Sequence, residues 1–502
     1  MSVTTLAKKR VGSFPFPKSR PETRIGNFSE VEQPYTKEEV MLEADRCARC
    51  LNPVCIAVCP IQLDVRGMCD SVANADFAAT YRRIRDTNAL VGVTARCCPQ
   101  MQGLCEDACV WHLYGDPVSI GMIQRFVSDW EQIESRQENP PCLPDTGKRI
   151  SIVGGGPAGL VAGELLRRYG HSATIYEALP FAGGTAWYGI PDYHLPKSVL
   201  QYGIDRIKEQ GVEIRTGTKI GRDLSLSDLL ERSDAVLITT GAKGVSKFDV
   251  PGIDSEGIYD AYQFLEGVYV LGVDHYIRNP LYNLGRDILV IGGGDSALDA
   301  ARTALRLSKG KVTLVYRRTE SEMPADPFII EKAKEEGIEF KFLASPRCYV
   351  SQNGKVDSAT MIQMKLGAPD KTGRRRPEPV EGGDFSMTCD SLLIAIGRGP
   401  NSFIQKKYGM KTGKSNAIEI DGQHRTSIPG VFAAGNVTTG ETLVVKAMSD
   451  GREAAQKVHE YVMKVPIERH VSLYDTYFGK RSTIEYREKM MDFTEEQLCP
   501  PV

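Results

Sequence analysis

A strand-to-helix turn built on glycine, present twice, constrains this chain more than any other feature. In Ser151-Ile-Val-Gly154-Gly-Gly156-Pro157-Ala158-Gly159-Leu160 an apolar run breaks into three glycines and continues as a helical pattern through Arg168. Gly154 allows a tight turn, Gly156 lets backbone approach a pyrophosphate, and Gly159 lets the helix pack closely on its strand. Such turns also join strand to helix with no ligand. Here the next strand, Ala173 to Tyr176, ends in Glu177, where a ribose-binding carboxylate belongs, and the combination points to a dinucleotide site.

The turn recurs as Ile288-Leu-Val-Ile-Gly292-Gly-Gly294-Asp295-Ser296-Ala297, with Ala297 in place of the third glycine. Its second strand, Lys311 to Tyr316, ends in Arg317-Arg318 instead of an acid. An acid suits a free ribose hydroxyl, whereas arginines suit a 2′-phosphate, although a solvated strand end is the bland alternative. Two apolar runs, Ala235 to Gly241 and Ser391 to Gly397, read as the places where the chain crosses between the two units. A last strand, Ile428 to Gly435-Asn436, precedes Gly440-Glu-Thr442-Leu443-Val-Val and a helix to about Lys464, whose amino terminus is suited to an electron-rich ring. Alternating strands and helices predict an α/β architecture with parallel sheets.

The first third of the sequence is different. Residues 1 to 34 mix basic residues with Pro15, Pro17 and Pro21 and predict an extended arm lying on the rest of the protein. From Thr36 to about Glu134 the text is helical: Thr36-x-x-Glu39 reads as a capping box, and Phe77 to Arg85 and Val118 to Trp130 have helical spacing. A proline-rich stretch, 136 to 147, then forms a linker.

Nine of the 13 cysteines fall between Cys47 and Cys109, a clustering that favours metal ligation over disulfides. Cys47, Cys50, Cys55 and Cys59-Pro60 have close to the spacing in which iron–sulfur proteins present thiolates, the fourth serving a different cluster from the first three. Cys98, Cys105 and Cys109 bring the thiolates to seven, so an eighth ligand for two four-iron clusters comes from elsewhere. Zinc is the simpler alternative. Cys69, Cys142, Cys348, Cys389 and Cys499 read as isolated packed or surface thiols.

With 502 residues, about three domains are expected. A formal net charge of -2 with 25% charged residues gives no reason to expect nucleic acid as a partner. No run approaches the ~18 to 20 apolar residues of a membrane span, and the amino terminus lacks a secretory core, so a cytoplasmic protein is expected.

Together with Pro117-Val-Ser-Ile-Gly121, Gly183-Gly184-Thr-Ala-Trp-Tyr-Gly-Ile-Pro191 through Leu195-Pro-Lys197, Tyr316 through Ala325, and Phe432 to Asn436, these motifs resemble the small (β) subunit of NADPH-dependent glutamate synthase and the equivalent amino-terminal half of dihydropyrimidine dehydrogenase. The likeness runs from about Glu43 to Ala455. It implies two Rossmann-like domains in a glutathione-reductase-like arrangement behind a helical iron–sulfur domain. The expected division is 1–145 for the arm and helical domain, 146–284 with 396–464 for FAD, 285–395 for NADPH, and 465–502 for a carboxy-terminal extension.

The resemblance also implies FAD at the first glycine turn, NADPH at the second and two [4Fe-4S] clusters. Cys47, Cys50, Cys55 and Cys109 would hold one cluster and Cys59, Cys98, Cys105 and Gln124 the other, with Cys97 an extra thiol that could replace Cys98. Cofactor contacts are implied for Gly154, Gly156, Pro157, Ala158, Gly159, Glu177, Gly184, Gly435, Asn436, Thr442 and Leu443, for Gly292, Gly294, Asp295, Ser296, Ala297, Arg317 and Arg318, and for Gly241 and Gly397 at the crossings. Asn436 stands where the family has an Asp. Electrons would run from NADPH through FAD and the clusters to a larger subunit: the glutamate synthase large subunit, a pyrimidine dehydrogenase or a ferredoxin-linked partner. Tyr474, Tyr477, Phe478 and Tyr486, aromatics among charges, suit an interface. Hydride transfer needs positioning more than an acid or base, so no proton-transferring residue is assigned.

Overall fold

In a computed structural model, residues 13, 18–242, 244–245, 249–369, 375–400 and 403–465 are described. The aromatic residues of the tail lie outside them. Each glycine turn grows from the middle strand of a five-stranded parallel sheet. The first sheet runs Val431–Ala433, Ala235–Ile238, Arg149–Val153, Ser172–Tyr176 and Glu213–Arg215. The second runs Ile258–Asp260, Ser391–Ile394, Asp287–Ile291, Lys311–Tyr316 and Glu339–Phe342. Strands such as Ala235–Ile238 and Ser391–Leu393 are buried throughout, as expected where helices cover a parallel sheet.

The crossings lie side by side. Gly244–Val245 pairs antiparallel with Arg398–Gly399, so the outgoing and returning chains form one two-stranded ribbon. The boundary expected at 284 is wrong: Ile258–Asp260 pairs with Ser391–Ile394, and the helix Ala261–Leu271 puts Phe264, Leu265 and Val268 into the core of the second sheet. A three-residue strand carries no periodicity of its own, and its neighbour supplies the pairing. The second unit also carries an antiparallel sheet absent from the sequence reading, made of Ala344–Gln352, Lys355–Pro369 and Arg375–Thr388.

The helical part packs Lys37–Asp45, Val65–Ala73, Phe77–Thr87, Val91–Cys97 and Ile120–Ile133 around Met68, Ile84 and Ile123. The capping box is formed: Thr36 Oγ1 accepts the Glu39 amide at 3.2 Å and Glu39 Oε2 accepts the Thr36 amide at 2.8 Å. The helix expected from Val118 begins at Ile120, because the Ser119 amide is drawn to the buried Glu43 carboxylate at 2.9 Å.

The arm is not wholly extended. Pro21–Arg24 forms a helical turn whose Arg24 is buried against Glu335 and Glu336, while the Val31 amide donates to Tyr193 O at 2.9 Å. Residues 136 to 147 have no regular structure but are tied down, with Leu143 N on Arg168 O at 2.8 Å and Thr146 N on Gly170 O at 3.0 Å. Finally, Val444–Met463 lies on Pro157–Arg168 so closely that a Cβ on Gly451 would stand 2.3 Å from Ala158 O.

Candidate cofactor cavity and cysteine pockets

The cysteines divide between two pockets. Cys47, Cys50, Cys55 and Cys109 line the first, with Pro53, Val65 and Val118; Cys59, Cys98 and Cys105 line the second, with Gln124, Leu104 and Gly121. Burial raises the thiols of Cys55, Cys98 and Cys105 well above their usual range, and neighbouring thiols add to the effect. Four such donors ionise together only around cations, so the donor sets fit metal centres. Cys69, read as isolated, is in fact buried on the wall of the first pocket beside Cys47.

Gln124 is oriented by its own amide. Its Nε2 donates to Val91 O at 3.1 Å and to Thr94 Oγ1, and since the Val91 carbonyl accepts only, the side-chain oxygen is the atom left for the pocket. Thr94 had no signal in the sequence beyond its place on a helix. Cys97 and Cys98 part company: Cys98 lines the second pocket, whereas Cys97 faces a larger cavity next door. Val91–Cys97 is helical and Cys98 is extended because Pro99 follows it, and a residue before proline is driven out of the helical region. Gly121 lies close under the Gln100 side chain: a Cβ there would stand 2.3 Å from Gln100 Nε2, which would have to swing aside.

At the first glycine turn, a Cβ on Gly159 would meet Gly154 O at 2.1 Å, the close strand–helix packing expected of it. Gly184 has φ 55° and faces Gly156, so two backbones approach where neither has a side chain. Glu177 is held by the turn itself, accepting from Gly155 N at 2.8 Å and Leu179 N at 2.9 Å. Asn436 Oδ1 is buried with no hydrogen-bond partner among the described residues, and beside it Asp450 accepts the Gly435 amide. The cradle and the orphaned oxygen fit a bound flavin nucleotide.

At the second turn, Asp295 Oδ1 accepts Asp326 N at 2.8 Å, and a Cβ on Gly292 would stand 2.3 Å from Ala395 O and 3.1 Å from Ala297 Cβ. The expected arginine pair is split. Arg318 is buried and its Nε donates to Arg375 O at 3.0 Å, so Arg317 alone of the two is exposed. The two arginines follow the end of the strand Lys311–Tyr316, and the first residue of the strand Arg375–Thr388 takes up Arg318. Gly241 and Gly397, at the crossings, have φ of 72° and 92° with open space where a Cβ would stand.

All three parts of the molecule meet at one cavity of about 460 Å³. Cys97 and Cys98 come to it from the helical part, Thr185 and Ile190 from the first unit, Thr442, Leu443 and Val444 from the start of the last helix, and Asp295, Ser296 and Asp299 from the second unit. The helix Val444–Met463 has no side-chain cap, so its first amides are available to the cavity. Lys197, half-buried nearby, forms an ion pair with Asp192 Oδ1 at 3.0 Å and lies over the Tyr269 ring at 4.6 Å; burial lowers its proton affinity and Asp192 counters. Asp299, a single turn beyond Asp295, was missed because an acid inside a helical pattern looks like a solvated face.

Two family models match the chain. Pyridine nucleotide-disulphide oxidoreductase covers residues 148–451, and dihydropyrimidine dehydrogenase domain II, 4Fe-4S cluster, covers 24–136. The glutamate synthase [NADPH] small chain of Escherichia coli (strain K12) is 32% identical over 89% of this chain and 96% of its own length. The NADP(+)-dependent formate dehydrogenase subunit beta of Moorella thermoacetica is 36% identical over 81% of this chain, which spans 60% of that subunit. Mycobacterium tuberculosis FprA in complex with NADPH shares the fold, with a TM-score of 0.54 at 19% identity over 64% of this chain and 85% of that one. Among the described residues no helix is long and apolar enough to cross a membrane. The chain therefore belongs to the pyridine nucleotide-disulphide oxidoreductase family, with a region matching the 4Fe-4S domain ahead of that fold.

Proposed function

We propose that this chain is the electron-input half of a larger oxidoreductase, taking a hydride from NADPH and delivering electrons through FAD and two [4Fe-4S] clusters to a partner subunit. The observation that carries this is the shared cavity, which Cys98 of the second cysteine pocket, the uncapped helix start at Thr442 to Val444, and Asp295 and Ser296 of the second turn all line. Bound flavin supplies the chemistry of accepting a hydride and releasing electrons singly. The protein's part is to hold and orient. Gly154, Gly156 and Gly184 leave room for the flavin's pyrophosphate, and Asn436 offers its unpaired oxygen to the ribityl chain. Arg317 faces the 2′-phosphate of NADPH. Cys47, Cys50, Cys55 and Cys109 hold the outer cluster, and Cys59, Cys98, Cys105 and Gln124 the one next to the cavity.

Anaerobic titration of the purified protein with NADPH tests this: the flavin absorbance bleaches and reduced-cluster EPR signals follow. A protein that carries both cofactors but is not reduced by NADPH would overturn the reading. NADPH is preferred over NADH, and Arg317→Ala lowers that preference by about tenfold, the loss of one charge-assisted contact of about 1.5 kcal/mol. An unchanged ratio of kcat/KM values removes Arg317 from the phosphate site.

The two cysteine pockets predict a contrast between adjacent thiols. Cys98→Ser loses one cluster, and iron falls from about eight to about four atoms per chain, whereas Cys97→Ser keeps both. Iron and sulfide analysis decides it, and the reverse pattern would assign Cys97 as the ligand. For the partner, the large subunit of a glutamate synthase is the first choice because the chain spans nearly the whole of that enzyme's small chain. Likeness to a formate dehydrogenase subunit supports a second choice, a different redox subunit. Co-purification from the native source, followed by identification of the bound chain, separates them.

A further inference from the structure

A hydride is two electrons and one proton, whereas an iron–sulfur cluster takes electrons alone. If the chain works as proposed above, on which this inference rests, each NADPH oxidised gives NADP⁺, two electrons and one proton. The electrons leave by the clusters, and the proton stays in the cavity between the two units until a base takes it.

Six acids line that cavity, and five of them are engaged or open to water. Glu106 Oε1 accepts the Gly121 amide at 2.8 Å, Asp295 Oδ1 the Asp326 amide at 2.8 Å, and Asp326 Oδ1 the Phe328 amide at 2.9 Å. Glu32 is paired with Lys332, and the Glu331 side chain is 62% exposed. Asp299 is the exception. It is only 5% exposed, and its Oδ1 is buried without a hydrogen-bond partner among the described residues. The residue stands on the helix Asp295–Ser308, one turn beyond the Asp295 and Ser296 that begin that helix at the glycine turn.

We propose that the Asp299 carboxylate is the proton acceptor of this cavity. One of its oxygens forms an O–H bond with the proton that began in the broken C–H bond of the reduced nicotinamide, while the two electrons of that bond pass by way of bound flavin to the iron–sulfur clusters. The proton goes on to solvent when the carboxyl ionises again before the next turnover. In the opposite direction, with electrons arriving from the clusters and NADP⁺ reduced, the same group donates it.

The surroundings suit such exchange. Burial pushes the Asp299 carboxyl up; the Arg302 charge pulls it back, Asp295 adds to the rise, and Lys197 and Arg306 pull back further, leaving it at about 8. Arg302 and Arg306 are themselves taken up by Glu336, so neither locks Asp299 as a permanent anion. The remaining groups that feel its charge are the Cys97 thiol and the Tyr193 and Tyr269 phenols, all raised by burial and neutral at working pH. An acid with affinity near the working pH both takes and releases a proton readily, and a positioned one contributes about 10² in rate or more.

The test has two arms on the cofactor-loaded protein. In infrared difference spectra between low and high pH, a protonated-carboxyl component should titrate near pH 8, be lost in Asp299→Asn and return in Asp299→Glu, while the component of Glu106, which burial also pushes up to about 8, stays in every variant. In rapid mixing with NADPH in H₂O and D₂O, cluster reduction by the wild type should show a solvent isotope effect and a pH dependence centred near the same value. In Asp299→Asn both should disappear, with cluster reduction slowed by about 100-fold. Asp299→Glu should restore the pH dependence. If the Asn variant loses no carboxyl component near pH 8, or if it keeps the isotope effect and pH profile, Asp299 is not the acceptor. A wild-type protein that NADPH fails to reduce refutes the proposed function instead, and the infrared arm still reports on Asp299.

Discussion

Gly156→Val should give a folded protein that purifies without flavin. Gly156 has φ -74° and ψ -179°, an extended conformation that valine adopts readily. A Cβ there meets only Gly184 Cα, at 3.9 Å, so the polypeptide accommodates the start of the side chain. The isopropyl group fills the gap between the two facing glycines, the space proposed for the pyrophosphate, and the affinity for FAD drops by at least about 100-fold, or about 2.8 kcal/mol. Circular dichroism and the flavin absorbance of the purified variant check the two halves of the statement. Full flavin content would remove the nucleotide from this turn. Gly159→Ala makes the control: its Cβ would stand 2.1 Å from Gly154 O and 2.7 Å from Thr239 Oγ1, so the damage there is to the fold itself.

The largest loss of stability is expected from Glu336→Gln. This buried carboxylate accepts from Arg302 Nε and Nη2 at 2.9 and 2.7 Å and from Arg306 Nη1 and Nη2 at 2.8 and 3.0 Å, with Arg24 Nε at 3.3 Å. The Tyr193 ring lies 4.5 Å from one guanidinium and 4.1 Å from the other. Three arginines from the arm and the second unit thus share a single anion. Neutralising it leaves buried cations uncompensated, at a cost of about 3 to 5 kcal/mol, read as a lower midpoint in urea unfolding.

The pH dependence has a definite sign. Burial alone would raise the Glu336 carboxyl, but hydrogen bonds and charge from Arg302 and Arg306 outweigh it and hold the group down at about 2. A depressed carboxylate stabilises the fold fully above its unfolded value, roughly 4.3, and the contribution is lost as pH falls from there toward 2. The variant should therefore differ most from the wild type at neutral pH and approach it in acid. A difference that stays constant from pH 7 to 3 would show that the carboxylate's charge is not what is lost.

The sequence by itself determined the parts whose geometry is local. A positive φ at Gly184 or an approach of 2.1 Å at Gly159 demands glycine whatever surrounds it, so both glycine turns, their order and their strands were legible. The capping box at Thr36 and Glu39 was legible for the same reason, since its partners lie within one turn. The grouping of the cysteines was implied by family resemblance; in the structure Cys47, Cys50, Cys55 and Cys109 share the first pocket with Cys69, and Cys59, Cys98 and Cys105 line the second.

Tertiary structure decided everything that depends on which way a side chain turns or on what a distant segment brings to it. Arg318 looked like Arg317 until a strand from 375 onward covered it, and Ile258–Asp260 had no pattern until Ser391–Ile394 paired with it. Cys97 and Cys98 separate where Pro99 ends a helix, a cue present in the sequence but meaningful only once the pocket on each side is known. Asp299 became visible last. An acid in a helix is ordinary; burial against a cavity assembled from three parts of the chain is what makes it chemically distinct, because the energy of a charge depends on the solvent and partners it loses, and residue order does not encode these locally.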